Sequence, residues 1–188
     1  VITAFGFAAL VFSIVMMPRI TVDSNFINYF KEKSWVTQDL LYFDQHFNGI
    51  AGLEIIVDSG TTGGIKEPRF LHRANKLQDY LKSLEQTGEV ASLLDFLKQI
   101  RQAVSNDDPK HFTLPDSVEM TAQLLLLYEN SGPDEDLSDL KDFDERYIRI
   151  TVPTINMDAS KMTALLATIN DTIDKDFPDL AVDITGPI

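Results

Sequence analysis

The chain has 188 residues, 44% of them hydrophobic, with 29 acidic against 16 basic side chains, a formal net charge of −13 and no cysteine. That length suits one domain with a real core, or one domain and a short appendage. The acidic balance argues against a nucleic-acid partner, which is held largely through Lys and Arg. The absence of cysteine excludes disulfide scaffolds, thiolate metal sites and cysteine nucleophiles, and leaves the redox compartment open.

Residues 1–18, VITAFGFAALVFSIVMMP, carry no charged side chain, and the first charge is Arg19. Such a run sits at the lower edge of what spans a bilayer, roughly 20 residues. It lacks an initiator Met and reads as the C-terminal part of a transmembrane helix. A signal peptide would show a charged start and a small-x-small cleavage site, whereas Met16-Met17-Pro18-Arg19 offers none. A core helix apolar on every face is rare in a domain this small. Cytoplasmic flanks are enriched in Lys and Arg; here a single Arg19 is followed by Asp23 and an acidic remainder. Residues 19–188 are therefore expected outside the cytoplasm.

Residues 19–48 read as a helical connector. Ile20 to Asn25 is extended or capping, and two amphipathic segments follow, Phe26 to Phe30 and Trp35 to Phe47. Ser34 is the expected N-cap of the second, and Asn48-Gly49 its stop. Its aromatics are expected to pack in the core in preference to the membrane surface, the alternative that Trp and Tyr allow.

Residues 49–188 form the expected globular domain. Leu53, Ile55 and Val57 alternate in a strand over 53–58. The turn Gly60-Thr61-Thr62-Gly63-Gly64 leads to Phe70, Ala74, Leu77, Leu81 and Leu84 at helical spacing, and then to a short strand near 89–93. A second unit repeats the order. Ile148, Ile150 and Val152 share one face of a strand over 146–152. Asp158 caps a helix carrying Met162, Leu165, Leu166, Ile169 and Ile173, which Phe177-Pro178 stops. Leu180, Val182 and Ile184 alternate in a last strand. Clean alternation in two β-α-β units predicts an antiparallel or mixed sheet with both helices on one face. The fold class expected is α+β, of the ferredoxin-like split β-α-β kind.

Between the units, an insertion over about 94–143 reads as helical. Leu94, Leu97, Ile100 and Val104 form one stripe, and Ser117 caps a second helix with Met120, Leu124, Leu125, Leu127 and Tyr128. An acidic stretch from Asp134 to Glu145 follows, in which Leu137, Leu140 and Phe143 recur as on a short amphipathic helix.

No motif for chemistry stands up. The glycine-rich turn continues Ile65-Lys66-Glu67 and so lacks the Gly-Lys-Ser/Thr ending of a phosphate loop. The acidic stretch places Asp134, Asp136, Ser138 and Glu145 at EF-hand spacing, but Asp139 stands where the loop requires Gly; a solvated acidic face is expected instead. His46, His72 and His111 are too far apart for a local metal motif, and no Gly-x-Ser-x-Gly elbow occurs. Asn170-Asp171-Thr172 fits a glycosylation sequon but lies mid-helix. No catalytic, cofactor-binding or metal-ligating residue is assigned, and the protein is not expected to be an enzyme.

The order of features nevertheless resembles a known family. An apolar helix is followed by Arg19-Ile20-Thr21-Val22-Asp23, Tyr29-Phe30, Ser34, His46-Phe47-Asn48-Gly49, Leu53-Glu54-Ile55-Ile56-Val57-Asp58 and, at the far end, Val182-Asp183-Ile184-Thr185-Gly186. This resembles the first extracytoplasmic loop of RND (resistance–nodulation–division) exporters, above all the lipid-handling branch with the hopanoid and mycobacterial MMPL-type transporters. The resemblance implies a porter domain of a proton-driven exporter in the inner membrane. Its partners would be the membrane, hydrophobic or lipid-like cargo, the rest of the transporter chain and other protomers. It also implies that the chain returns to the membrane just after Thr185-Gly186, and that the proton-relay carboxylates lie on other helices. A membrane-tethered sensor or partner-binding ectodomain is the alternative.

Overall fold

The computed structural model describes residues 34–47, 49, 51–130 and 137–186, together with Gly6, Leu10, Phe12, Ser13 and Met16, which are helical. Most of the apolar run, the segment Phe26 to Phe30, and Asp134 and Asp136 of the acidic stretch lie outside the described residues. Among the described residues no helix is long and apolar enough to cross a membrane.

Helix α1 (Trp35–Phe47) starts directly after Ser34, whose carbonyl accepts from the Gln38 N–H at 3.2 Å. Strand β1 (Ala51–Asp58), helix α2 (Pro68–Lys82) and the two-residue strand β2 (Ala91–Ser92) make the first unit. Helices α3 (Leu93–Val104) and α4 (Val118–Glu129) form the insertion. Strand β3 (Tyr147–Thr154), helix α5 (Ala159–Asp176) and strand β4 (Ala181–Thr185) make the second unit.

The protein is α+β, with one four-stranded antiparallel sheet in the order β2-β3-β1-β4. Each unit is thus opened by a strand of the other: β3 lies between β1 and β2, and β1 between β3 and β4. Leu53, Ile55 and Val57 of β1 and Ile148, Ile150 and Val152 of β3 are fully buried. The register pairs Leu53 with Val152, Ile55 with Ile150 and Val57 with Ile148, so these six side chains make one apolar floor. On it lie Leu71, Ala74, Leu77 and Leu81 of α2 and Met162, Leu165, Ile169 and Ile173 of α5, all in the same core. The Tyr80 hydroxyl donates to Thr172 Oγ1 at 3.0 Å and ties the two helices together on that face. The other face carries Glu54, Asp58, Arg149, Thr151 and Asp183, as a half-covered polar surface should.

The caps expected from Ser117 and Asp158 form. Asp158 accepts from Lys161 N at the start of α5, and Ser117 from Met120 N at the start of α4. A further cap joins the insertion to the sheet: Ser92 and Asp95 form a capping box at the start of α3.

Two local expectations fail. Residues 137–145 form turns in place of a short amphipathic helix. Leu137 is buried and Leu140 packs on the core, but Phe143 is 98% exposed. The reason is an unpaired strand. Because β2 is only two residues long, the start of β3 has a free edge, and the chain fills it: the Arg149 N–H donates to the Leu140 carbonyl at 2.9 Å, and Lys141 pairs with Ile148. Trp35, expected in the core, is 75% exposed, and Tyr42 on the same helix is 58% exposed.

Candidate functional site

Antiparallel pairing gives the sheet two chemically different ends. At one, β1 and β4 meet as the chain enters and leaves. Ala51 pairs with Thr154, and Glu54 with Thr185. Gly49 has φ 150°, and a Cβ there would lie 2.6 Å from the Thr154 carbonyl oxygen. Gly186 has φ 153°, and a Cβ there would lie 2.8 Å from the Gly52 oxygen and 3.3 Å from Leu53 Cδ2. Only glycine permits both the backbone angle and the approach. The two glycines, far apart in the sequence, therefore close one end of the domain together.

At this same end a groove of about 330 Å³ opens beside the sheet. Its walls are Leu84 and Gln86 after α2, Ile155 and Met157 after β3, and Lys161, Ala164, Leu165 and Thr168 on α5. The α5 residues recur at i, i+3, i+4 and i+7 and so share one face of the helix. The small side chains of Ala164 and Thr168 leave the space that larger ones would fill. Two backbone bonds hold the wall formed by the loop: Ile155 N–H to the Gln86 carbonyl at 3.1 Å, and Gly88 N–H to the Pro153 carbonyl at 2.7 Å. Lys161 stands at the rim, 74% exposed, 3.2 Å from Asp158. Asp158 accepts from the Lys161 N–H and side chain, and these bonds hold its carboxyl below the ordinary value of 3.8. A mostly apolar groove with a single cation at its mouth suits the tail of an amphiphile better than a polar metabolite.

The opposite end is closed by ion pairs. Arg146 donates to both oxygens of Asp58, at 2.8 and 2.6 Å. This bidentate bond holds the Asp58 carboxyl below 3.8 against the opposing effect of burial, and raises the Arg146 guanidinium further above its already high value. Lys66 pairs with Glu145. Arg73 pairs with Asp179, also donates to the Asp176 carbonyl at 2.9 Å, and lies over the Phe177 ring at 4.9 Å. A cleft of about 250 Å³ lies beside Arg69 and Arg73, but Arg73 is paired with Asp179 and Arg69 is exposed.

The glycine-rich turn belongs to this end, and it is tied down. Its Gly63 and Ile65 N–H groups donate to the Asp144 and Glu145 carbonyls at 2.9 and 3.2 Å. Those donors face protein, so the turn does not cradle an anion. The acidic stretch is spent in the same way: Asp142 Oδ1 accepts from the N–H groups of Arg146 and Tyr147, both at 2.7 Å. Among the described residues no cluster of His, Asp or Glu is arranged to hold a metal ion. His46 stacks on Tyr42, and His72 and His111 are exposed.

The apolar stripes of the insertion divide. Leu124 and Leu125 are buried, while Leu126 and Leu127 are 61% and 51% exposed beside Met120. The groove itself is not legible as a site in the sequence. Leu84 and Leu165 fall in the core-facing periodicity, and Ile155 and Met157 follow the end of a strand. The one available signal is Ala164 and Thr168, small exposed residues one turn apart on a helix whose buried positions are large. No protein-family model matches the chain, and no curated protein matches it.

Proposed function

We propose that residues 19–188 form an extracytoplasmic porter domain of a proton-driven RND-type exporter, on the periplasmic side of an inner membrane. The run 1–18 is the end of its first transmembrane helix, and the groove beside α5 forms part of the path for hydrophobic or lipid-like cargo. The domain carries no catalytic residue and leaves proton coupling to membrane helices outside residues 1–188.

One observation carries this reading. The two glycines of the motifs His46-Phe47-Asn48-Gly49 and Val182-Asp183-Ile184-Thr185-Gly186 lie at the same end of the sheet, and the apolar groove opens at that end. A domain hung from a membrane by both its ends needs entry and exit on one side. A route for amphiphiles is most useful where it faces the bilayer. The strand order β2-β3-β1-β4 supports the same reading, because it is the order of the ferredoxin-like split β-α-β arrangement.

The cysteine-free chain permits a single-site test. The variant Ala164→Cys, labelled with a polarity-sensitive dye in the full chain in lipid nanodiscs, is titrated with a water-soluble lysophospholipid. A saturable, weak response at position 164, absent from a Thr61→Cys label at the other end, is expected, since an export path must release what it holds. Equal responses at the two positions, or none at 164, reject the cargo groove. Tight and selective binding of a polar ligand would favour the membrane-tethered sensor.

A further inference from the structure

Helix α1 is 13 residues long, and its exposed aromatic side chains are not scattered. Trp35, Tyr42 and His46 stand at i, i+7 and i+11, which at 3.6 residues per turn places them within about 20° of Trp35 around the helix. Trp35 is 75% and Tyr42 58% exposed. The Tyr42 and His46 rings stack at 3.9 Å, 22° from parallel, and His46 Nδ1 is 2.8 Å from the Tyr42 carbonyl oxygen. On another side of the helix Thr37 is 4% exposed, so α1 has an inner and an outer face. The outer face thus carries an indole and a phenol, each with an apolar body and a polar atom at its edge, and an imidazole stacked on the phenol.

We infer that the Trp35–Tyr42–His46 stripe of α1 lies in the headgroup–acyl boundary of the bilayer and docks the domain on the membrane. The inference rests on the reading of residues 1–18 as membrane-embedded and adds the surface that meets the lipid. Rings that are apolar in the body and polar at the tip are the side chains favoured at a membrane–water boundary, where the indole N–H and phenol O–H stay wet. Chain continuity selects the occupant. The uncharged run ends at Pro18, and residues 19–34 alone separate it from α1. From α1 the chain passes to Gly49, which sits against Thr154 at the entry and exit end of the sheet.

Charge decides how the contact is made. The chain carries a net −13, and Gln38 and Asp39 flank the stripe, so attraction to anionic headgroups contributes little. Ring partition is the driving term, so attachment to a zwitterionic surface is insensitive to salt, and anionic lipids weaken it.

Trp35 is the single Trp of the chain, so indole fluorescence reports this stripe alone. The full chain is reconstituted into phosphatidylcholine vesicles containing lipids brominated at different depths. The expected result is blue-shifted emission, protection from aqueous acrylamide, and quenching strongest with the shallowest bromines, all unchanged by added salt. In the double variant Trp35→Phe, Thr61→Trp the indole, now at the far end, should emit as in water. Water-like, acrylamide-accessible Trp35 emission, with residues 1–18 protected from protease by the vesicle, overturns the inference and leaves the porter reading intact. Lipid contact at both positions overturns it in favour of general adsorption. Trp35 shielding that appears without lipid and grows with protein concentration overturns it in favour of a second copy of the chain. A shielded, shallow Trp35 together with a silent label at position 164 upholds it while the cargo groove fails.

Discussion

At Gly186 the backbone angle and the neighbouring carbonyl of Gly52 both exclude a side chain, and at Gly49 the Thr154 backbone does the same. Gly186→Ala is therefore expected to lower stability by about 1–3 kcal/mol. A methyl group on Gly52 would meet nothing within 4 Å, so Gly52→Ala should cost no stability. Urea unfolding of the two variants separates close approach from a general penalty on strand glycines, and equal losses would refute the role given to Gly186. Thr154 makes the opposite case. Its side chain is fully buried, and Oγ1 has no hydrogen-bond partner among the described residues. Thr154→Val keeps the shape and removes the unsatisfied hydroxyl, so a gain of about 1 kcal/mol is expected; a loss would show that the hydroxyl is satisfied in solution.

Among the elements, the root of the insertion is held by one buried polar network. Gln78 of α2 accepts from the Ser92 hydroxyl and donates to Asp95 Oδ2 at 2.7 Å, and Asp95 Oδ1 also receives Lys82 Nζ at 3.0 Å. Gln78 and Ser92 are fully buried. Gln78→Ala leaves the hydroxyl and the carboxylate short of a partner and should cost about 2–3 kcal/mol, and Ser92→Ala, which removes the cap and leaves Gln78 Oε1 without its donor, a similar amount. Chemical denaturation monitored by far-UV circular dichroism gives both values, and a smaller loss for Gln78→Ala would mean that water enters the site. The ends of the strands add an acid-sensitive component. Asp58 and Asp179 have carboxyls held below 3.8 by Arg146 and Arg73. A carboxylate with a depressed folded-state value contributes stability above its unfolded value and loses it as pH falls through the folded one. Stability is thus expected to drop on acidification below about pH 4, with a shallower drop in Asp58→Asn. Urea midpoints across that range test this, and an unchanged slope in the variant would remove Asp58 from the account.

For the molecule as a whole, every side chain of the buried apolar cluster among the described residues comes from Leu53 to Phe177. A chain starting at Arg19 should therefore be more soluble than the full chain and unfold no less cooperatively. Thermal unfolding followed by circular dichroism decides the point, and loss of a cooperative transition would make residues 1–18 part of the core.

The sheet strands, the helices and their caps are written in the order of the residues, because each depends on residues within a few positions of one another. Alternation puts Leu53, Ile55 and Val57 on one face, helical spacing does the same for Met162, Leu165, Ile169 and Ile173, and Ser117 and Asp158 sit directly before the helices they cap. Folding in three dimensions settles what long-range partners control. The period of three in Leu137, Leu140 and Phe143 loses to the free edge of β3, which offers the backbone hydrogen bonds that a short isolated helix does not secure. Trp35 and Tyr42 have the composition of core residues, and only the placement of α1 turns them outward. The groove beside α5 is defined by the space between Leu84, Ile155 and Ala164, residues that the chain brings together only when the sheet closes. Local periodicity records which face a side chain takes; it holds no record of the space left between elements.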